Sequence, residues 1–286
     1  MNQITYLINP ESNPICRDAM IPYAKSLGLH YDDVKNHEKY DTIIIDCGWK
    51  THSYIRDVIK CIETHKGKVF LRVVDDYIES YEVVDKRFAW FIEDINEVSG
   101  VTFISPYHHQ IYRQYEPIWI PYHYEVCDEA EIHAGRLDKA ILTGFNDYRI
   151  YPFRGLIYKH ESNLIESFLH PGYSGRCWNQ NNVGGGYISM LAQYKFMIVT
   201  TCYLDYELMK YIECAEAGCV PVGEFPKYFL ANMPVELRKL HCTSVDEIDD
   251  VIRGCMNQYG QLSRLYREWV QSEFNKEKIL NKIYSL

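Results

Sequence analysis

Short, continuously apolar segments separated by helical patterns constrain the fold of this 286-residue chain more than any other feature. Asp41–Asp46 carries three consecutive isoleucines, and Lys68–Val74 and Phe196–Thr200 are similarly apolar. Runs of this length without polar alternation are typical of parallel strands that are covered on both faces. Helical patterns such as Asn13–Leu27 and Ser53–His65 lie between them. The alternation predicts an α/β fold built on doubly wound parallel sheets.

The alternation of strand and helix patterns is interrupted once, by the polar and acidic segment Glu125–Asp138, and then starts again. We therefore predict two Rossmann-like domains, residues 1–128 and 129–286, that face each other across a cleft. A long charged helical pattern over Gln261–Tyr284 ends the chain, and we expect this helix to pack back onto the fold. Ligands of open α/β sheets bind beyond the carboxyl ends of the strands, so the residues that follow each strand are the first candidates for a site.

Composition argues against several classes of protein. The 10 cysteines form no CxxC pair and no zinc-finger spacing, which favours reduced, buried thiols in a cytoplasmic protein. No apolar run approaches the roughly 20 residues of a membrane span, and the N-terminus lacks the pattern of a signal peptide. The formal net charge of −9 argues against non-specific nucleic-acid binding. No GxGxxG follows the first predicted strand, which argues against a dinucleotide-dependent oxidoreductase.

The segment Asp205–Pro221 contains the most informative pattern in the sequence. We predict a helix over Leu204–Glu216 that ends at Gly218, a residue suited to a left-handed cap. Asp205 lies at the start of this predicted helix, and Glu213 follows eight residues later. Eight residues are about 2.2 turns, so the two carboxylates are expected roughly 80° apart around the axis and roughly 12 Å apart along it. That separation suits contacts with the two ends of an extended ligand.

This segment resembles the acid-x7-acid helix of retaining glycosyltransferases with the GT-B fold. Because Lys210 stands three residues before Glu213, it is most similar to the branch of proteins described as glycosyl transferases group 1-like. Two upstream elements of that branch, Tyr151–Arg154 and His170–Tyr173, follow in the same order after Gly144. The chain departs from the pattern in two ways: the first acid is Asp instead of Glu, and Tyr-Glu-Leu replaces the glycine-rich turn after it.

The resemblance implies a glycosyltransferase that uses a nucleotide-sugar as co-substrate, retains the anomeric configuration, and needs neither a bound metal nor a cofactor. In such enzymes the first acid contacts the donor sugar, the second acid hydrogen-bonds the ribose, and the helix start faces the diphosphate. Arg154 and Lys210 are the expected cations for that diphosphate. The donor-binding residues that it implies are Gly144, Arg154, His170, Tyr173, Tyr206, Lys210 and Glu213. Arg154 and Asp205 are also implied as catalytic residues.

The N-terminal half is expected to hold the acceptor, a glycan or a small molecule. Asp46, Asp75 and His108 follow predicted strands and are the candidates for acceptor contacts. An enzyme that inverts the configuration needs a general base within reach of the acceptor hydroxyl; Asp75, Asp76 and His108 are candidates, and we favour Asp76 for that catalytic role. An alternative interpretation is that Asp75 and Asp76 only cap the helix that begins near Ile78.

Two other functions remain open at this point. One is glycosyl transfer to hydroxymethylated DNA bases, which fits the small size of the chain and a viral or phage origin but not its negative charge. The other is a non-catalytic protein that binds a nucleotide or a sugar, which fits the altered first acid and the missing glycines. A run of three glycines, Gly184–Gly186, is interpreted either as a phosphate cradle or as a loop that closes over the donor.

Overall fold

The computed structural model describes residues 4–8, 23–46, 52–72, 100–106, 118–122, 135–169, 185–203 and 205–286. The chain divides into two compact units. One comprises Met1–Pro121 with Leu280–Leu286, and the other comprises Tyr122–Ile279. The predicted domain boundary between residues 128 and 129 lies outside the described residues.

The first unit is built on a parallel sheet. Its strands are β1 (Ile4–Ile8), β2 (His30–Asp33), β3 (Thr42–Asp46), β4 (Lys68–Arg72), β5 (Val101–Ser105) and β6 (Ile118–Trp119). They pair in the order β2-β1-β3-β4-β5-β6. Residues 23–27 are helical, Val34–Lys39 forms a 3-10 helix, and helix α1 spans His52–Thr64. The three isoleucines of β3 are at most 1% exposed, which explains an apolar run without polar alternation. The polar edge strand β2 has no such run and was not predicted.

The second unit is built on a smaller parallel sheet. Its strands are β7 (Leu137–Gly144), β8 (Ile165–Leu169), β9 (Tyr194–Val199) and β10 (Val220–Gly223). They pair in the order β10-β9-β7-β8. Its helices are α2 (Pro152–Ile157), α3 (Gly185–Leu191), α4 (Met209–Glu216), α5 (Lys227–Asn232), α6 (Ile248–Cys255), α7 (Tyr259–Glu273) and the first part of α8 (Lys276–Tyr284). The 3-10 helices are Val235–Leu240, Val245–Glu247 and Met256–Gln258.

Both sheets share one winding pattern. In each, the first strand has the second strand on one side and the third strand on the other. In the second unit, β7 is this first strand, so the direction of winding changes between β7 and β9. The prediction of an α/β fold with two Rossmann-like parallel sheets is confirmed. The change of direction also marks the place where ligands of open α/β sheets bind, beyond the carboxyl ends of β7 and β9.

The C-terminal helical pattern, predicted as one helix, forms two helices, α7 and α8. Phe274 is fully buried, and its ring packs against Phe229 and Trp269, which takes the chain out of the helical path. The Asn275 side chain then accepts hydrogen bonds from two backbone amides at the start of α8. The last residues of the chain pack onto the first unit, where the carbonyl of Leu286 accepts a hydrogen bond of 2.7 Å from the Lys68 ammonium.

The cysteines of the described residues are free, buried thiols: Cys61, Cys202, Cys214, Cys219, Cys242 and Cys255. Burial raises the pKa of five of these thiols, to about 12 for Cys219; the five are Cys61, Cys214, Cys219, Cys242 and Cys255. The prediction that the thiols are reduced and buried is therefore confirmed for this part of the chain. Within the same part, we find no helix with both the length and the apolar character of a membrane span.

Candidate functional site

The helix that carries Glu213 begins later than the sequence predicts. Helix α4 starts at Met209, with the backbone of Leu208 extended at the N-cap (φ −91°, ψ 160°). The predicted helical separation of Asp205 and Glu213 is therefore wrong. The residues between Asp205 and the helix form a loop because the side chains of Tyr206 and Glu207 are packed inside, at 6% and 5% exposure. Interior packing of these two residues overrides the helical pattern.

Asp205 itself has an unusual backbone conformation. Its φ is +57°, the only positive value at a non-glycine residue in the described ranges. Asp is one of the residue types that tolerate this left-handed region. Its carboxylate lies on the surface of the second unit, 3.6 Å from the Lys227 ammonium. The structure thus places Asp205 in a turn before the helix and pairs it with a surface lysine.

Arg154 occupies the place where the winding of the second sheet changes direction. From α2, its Nε donates to Thr200 Oγ1 at 3.0 Å, just beyond β9. Its Nη1 donates to the carbonyl of Phe145 at 3.1 Å, just beyond β7. The guanidinium lies over the Tyr151 ring, 4.0 Å from the centroid, and the residue is only 2% exposed. Its Nη2 has no hydrogen-bond partner among the described residues. An unpaired buried donor is costly, and an anion at this position would satisfy it.

Lys210 is the second cation of the site. Its ammonium donates to Thr143 Oγ1 and to Tyr187 Oη, both at 2.9 Å, and lies 3.9 Å from a carboxylate oxygen of Glu213. The side chain of Lys210 is 14% exposed. Burial lowers its pKa to about 8; Glu213 opposes this shift and Arg154 adds to it. The lysine is therefore poised to respond to an added negative charge.

Gly144 brings the two cations together. It ends β7 with a φ of +119°, and a Cβ placed on it would lie 2.7 Å from Arg154 Nη1 and 2.8 Å from Lys210 Cε. Cβ atoms essentially never make contacts this short, so a side chain at position 144 would force the ends of both cations to move. Tyr158 supports this position from behind, since its hydroxyl donates to the Gly144 carbonyl at 3.2 Å. The result is a buried strand end flanked by an arginine and a lysine.

Glu213 is the acid of this group. Burial raises its pKa, and the nearby charges of Lys210 and Arg154 oppose the shift. The site therefore combines two cations with one carboxylate that is expensive to ionise. A local excess of positive charge and of hydrogen-bond donors suits a ligand with several anionic oxygens, such as a phosphate ester.

Several residues of this site were not predicted. The two cations donate hydrogen bonds to the hydroxyls of Thr143, Tyr187 and Thr200. Next to Thr200, Thr201 donates to Glu224 Oε2 through its amide at 3.1 Å and through its hydroxyl at 2.6 Å. Thr143 stands one residue before the end of β7, and Thr200 and Thr201 are the first two residues after β9. A search of the residues at strand ends could therefore have found these three. Tyr187 directly follows the glycine run Gly184–Gly186, but nothing in the sequence indicates a role for its hydroxyl.

Other predicted site residues are not located by the structure. His170, Tyr173, Asp75, Asp76 and His108 lie outside the described residues. Asp46 ends β3, but its side chain is likewise not described; Gly185 and Gly186 open helix α3.

The described residues contain no group of three or more His, Cys, Asp and Glu side chains that could hold a metal ion.

Solved structures similar to this chain include the two that follow. The crystal structure of Anabaena Alr3699/HepE in complex with UDP-glucose shares 11% identity, covers 100% of both chains and has a TM-score of 0.60. The crystal structure of TarM shares 13% identity over 85% of this chain, with a TM-score of 0.56. The match covers 54% of TarM, so the chain spans about half the length of that protein. No protein-family model matches the sequence. A search of curated proteins also returns no match. At these identities the likeness shows the fold, which is the GT-B fold of glycosyltransferases.

Proposed function

We propose that this chain is a glycosyltransferase that moves a sugar from a nucleotide-sugar donor to an acceptor hydroxyl. One observation carries the proposal above the others: Arg154 and Lys210 flank Gly144 at the point where the second sheet changes its direction of winding. The GT-B fold supports a donor of this class, and so does the similar structure of HepE with UDP-glucose. The whole reaction, its donor and its acceptor are part of the proposal.

The two cations suit the diphosphate of such a donor. Arg154 Nη2 supplies unused N–H groups, and the ammonium of Lys210 keeps one proton beyond the two that it donates to hydroxyls. During transfer the bond to the anomeric carbon breaks, and negative charge grows on the departing diphosphate. Buried cations that are already in place stabilise this charge without reorganisation, which lowers the barrier to bond breaking.

Glu213 is assigned to the ribose. Its position 3.9 Å from Lys210 places a hydrogen-bond acceptor beside the proposed diphosphate site. In sugars of ribonucleoside diphosphates, such as UDP- and GDP-sugars, two ribose hydroxyls lie near the diphosphate, and a carboxylate can accept from both of them. The acid-x7-acid resemblance assigns Asp205 to the donor sugar. Asp205 lies in a turn before α4 and pairs with Lys227, so no contact with the cations of the site supports that assignment.

The finer points of the reaction follow from the resemblance. We propose that the anomeric configuration is retained, that the departing diphosphate assists deprotonation of the acceptor, and that the acceptor is a glycan. We also propose that no metal is required, since Arg154 and Lys210 supply two positive charges where a divalent ion would otherwise neutralise the diphosphate. Asp76 remains the candidate base if the configuration is inverted instead.

A binding protein without turnover is the second candidate. The observation that favours it is the position of Asp205, which lies in a turn and pairs with Lys227. The two candidates differ in one measurement. A glycosyltransferase slowly hydrolyses its donor or transfers the sugar to an added glycan, whereas a binding protein leaves the nucleotide-sugar intact.

Thermal unfolding in the presence of UDP-, GDP-, CMP- and dTDP-sugars tests the proposal. A ligand that binds only the folded state adds roughly 2.7 kcal/mol of stability at 100 times its Kd, so one nucleotide of the four should raise the Tm clearly. The glucose or other free sugar should not, because it lacks the diphosphate. No shift with any nucleotide-sugar at millimolar concentration would contradict the proposal.

A further inference from the structure

Three polar atoms form a closed triangle beside Gly144. The Lys210 ammonium lies 2.9 Å from Thr143 Oγ1 and 2.9 Å from Tyr187 Oη, and the two hydroxyl oxygens are 2.6 Å apart. The three residues come from β7, α3 and α4, which are separate elements of the second unit. The triangle therefore fixes one atom of a flexible lysine from two independent directions.

We infer that Thr143 and Tyr187 are positioning residues that hold the Lys210 ammonium, in its charged form, against Gly144. This inference rests on the proposed function, in which that ammonium binds the donor diphosphate. A flexible lysine side chain loses rotamer entropy when it is ordered, so contacts that order it before the ligand arrives strengthen binding.

The proton count of the triangle supports this role. An ammonium has only donors, so both hydroxyls accept from Lys210 with their oxygen lone pairs. One hydroxyl also donates to the other across the 2.6 Å contact. One ammonium proton and one hydroxyl proton are then left to point outward. Burial raises the pKa of Tyr187 well above its usual value, so its hydroxyl keeps the proton that this count requires.

The surroundings of Lys210 show why two acceptors are needed. The charged groups that face it are Arg154 from α2 and Glu213 from its own helix. Arg154 disfavours a second positive charge, and the Glu213 oxygen, at 3.9 Å, is beyond hydrogen-bond distance. Among the described residues, the ammonium donates its hydrogen bonds to the hydroxyls of Thr143 and Tyr187. Without them, burial would favour the neutral amine.

Tyr187→Phe and Thr143→Val test the inference, because each change removes one hydroxyl and keeps most of the side-chain volume. Tyr194→Phe is the matched control. Its hydroxyl donates to Glu166 at 2.6 Å, beside a lysine, in a tyrosine–carboxylate–lysine group that does not include Lys210. The titration of the Lys210 ammonium is followed by nitrogen-15 NMR in the ligand-free proteins. Binding of UDP is measured by calorimetry at pH 7 and pH 9.

We expect the pKa of Lys210 to fall in both test variants and to stay unchanged in Tyr194→Phe. We expect UDP to bind about tenfold more weakly to each test variant at pH 7. In the wild type the affinity should fall between pH 7 and pH 9, and in the variants this fall should begin at a lower pH. A purely structural role would change the Tm without moving the titration of Lys210.

An unchanged Lys210 titration in the two folded test variants would overturn the inference. If one variant does not fold, the other decides; if neither folds, the hydroxyls are structural and the inference is also overturned. Failure of the wild type to bind UDP would count against UDP as the donor nucleotide and, if other nucleotides also fail, against the proposed function. Failure to bind UDP would leave the titration of Lys210 by NMR unaffected. A failure of the proposed function can therefore be distinguished from a failure of this inference.

Discussion

The Cβ atom that Gly144 lacks would lie 2.7 Å from the Nη1 atom of Arg154. This relationship ties a backbone position to the chemistry of the site. A side chain at this strand end would displace the two cations from their present positions, and the φ of +119° at Gly144 is itself a conformation that favours glycine. The resemblance selects Gly144 as a donor-site residue, and the structure gives a geometric reason for a glycine at that position.

Gly144→Ala should destabilise the protein and abolish nucleotide binding. The backbone strain alone is worth roughly 1–3 kcal/mol. The added methyl group would also displace Arg154 and Lys210. Urea unfolding and calorimetry with UDP measure the two effects.

Gly135→Ala is the control that separates the effect of backbone strain from the effect of displacing Arg154 and Lys210. Gly135 has a φ of +110°, but a Cβ there meets nothing within 4 Å. We expect a similar loss of stability with normal UDP binding. Equal loss of binding in both variants would show that the effect at Gly144 is general destabilisation.

Nucleotide affinity should fall as the pH rises above 8. Burial lowers the pKa of Lys210 to about 8. The ammonium is therefore charged below this pH, and its contribution to binding is lost as the pH rises through it. A charge-assisted hydrogen bond contributes roughly 1.5–3 kcal/mol, so the loss between pH 7 and pH 9.5 should be about tenfold or more.

Proton uptake provides an independent check of the same group. A bound diphosphate favours the charged lysine and raises its pKa. Calorimetric titration of UDP at pH 8.5, in two buffers that differ in ionisation enthalpy, should show that less than one proton is taken up for each UDP bound. A flat affinity profile between pH 7 and pH 9.5 would exclude Lys210 from the site.

Glu213→Ala should abolish nucleotide-sugar binding, because the ribose contacts are lost and Lys210 loses the carboxylate 3.9 Å away. Glu236→Ala is a suitable control, since Glu236 is exposed in a 3-10 helix of the same unit. Calorimetry with the nucleotide-sugar identified by thermal unfolding gives the answer. Unchanged affinity in Glu213→Ala would remove this residue from the donor site.

Turnover should continue in an excess of chelator, because we propose that Arg154 and Lys210 neutralise the negative charge of the diphosphate. Donor consumption is measured with and without EDTA, and after addition of Mg²⁺ or Mn²⁺. Loss of activity in EDTA that a divalent ion restores would show that the two cations are insufficient and that a metal takes part.

The sequence predicts the buried parts of the fold better than its exposed or loop parts. The predicted strand Asp41–Asp46 matches β3 to within one residue, and the predicted strand Lys68–Val74 begins where β4 begins, because a continuous apolar run leaves few alternatives. The edge strand β2 and the start of α4 were missed. Strand β2 consists largely of polar residues, and the start of α4 is set by the burial of Tyr206 and Glu207. Neither cause is visible in local periodicity.

The candidate site shows the same limit. Gly144, Arg154, Lys210 and Glu213 were selected by their order in a resemblance, and the structure brings all four to one strand end. Tyr187 was missed because its role depends on a contact with Lys210, 23 residues away in the chain. Such contacts between elements are set by tertiary packing, which no spacing rule describes.

Calorimetric titration of UDP into Arg154→Lys and Arg136→Lys tests the central claim most directly. Both changes keep the positive charge and remove the planar fork of the guanidinium. Arg136 donates to the carbonyl of Tyr194, and its guanidinium lies 5.9 Å from the centroid of the Tyr259 ring, so the control loses comparable contacts in the same unit. We predict that UDP binds the wild type and Arg136→Lys equally and binds Arg154→Lys at least tenfold more weakly. Equal affinity for all three proteins would contradict a diphosphate site at Arg154.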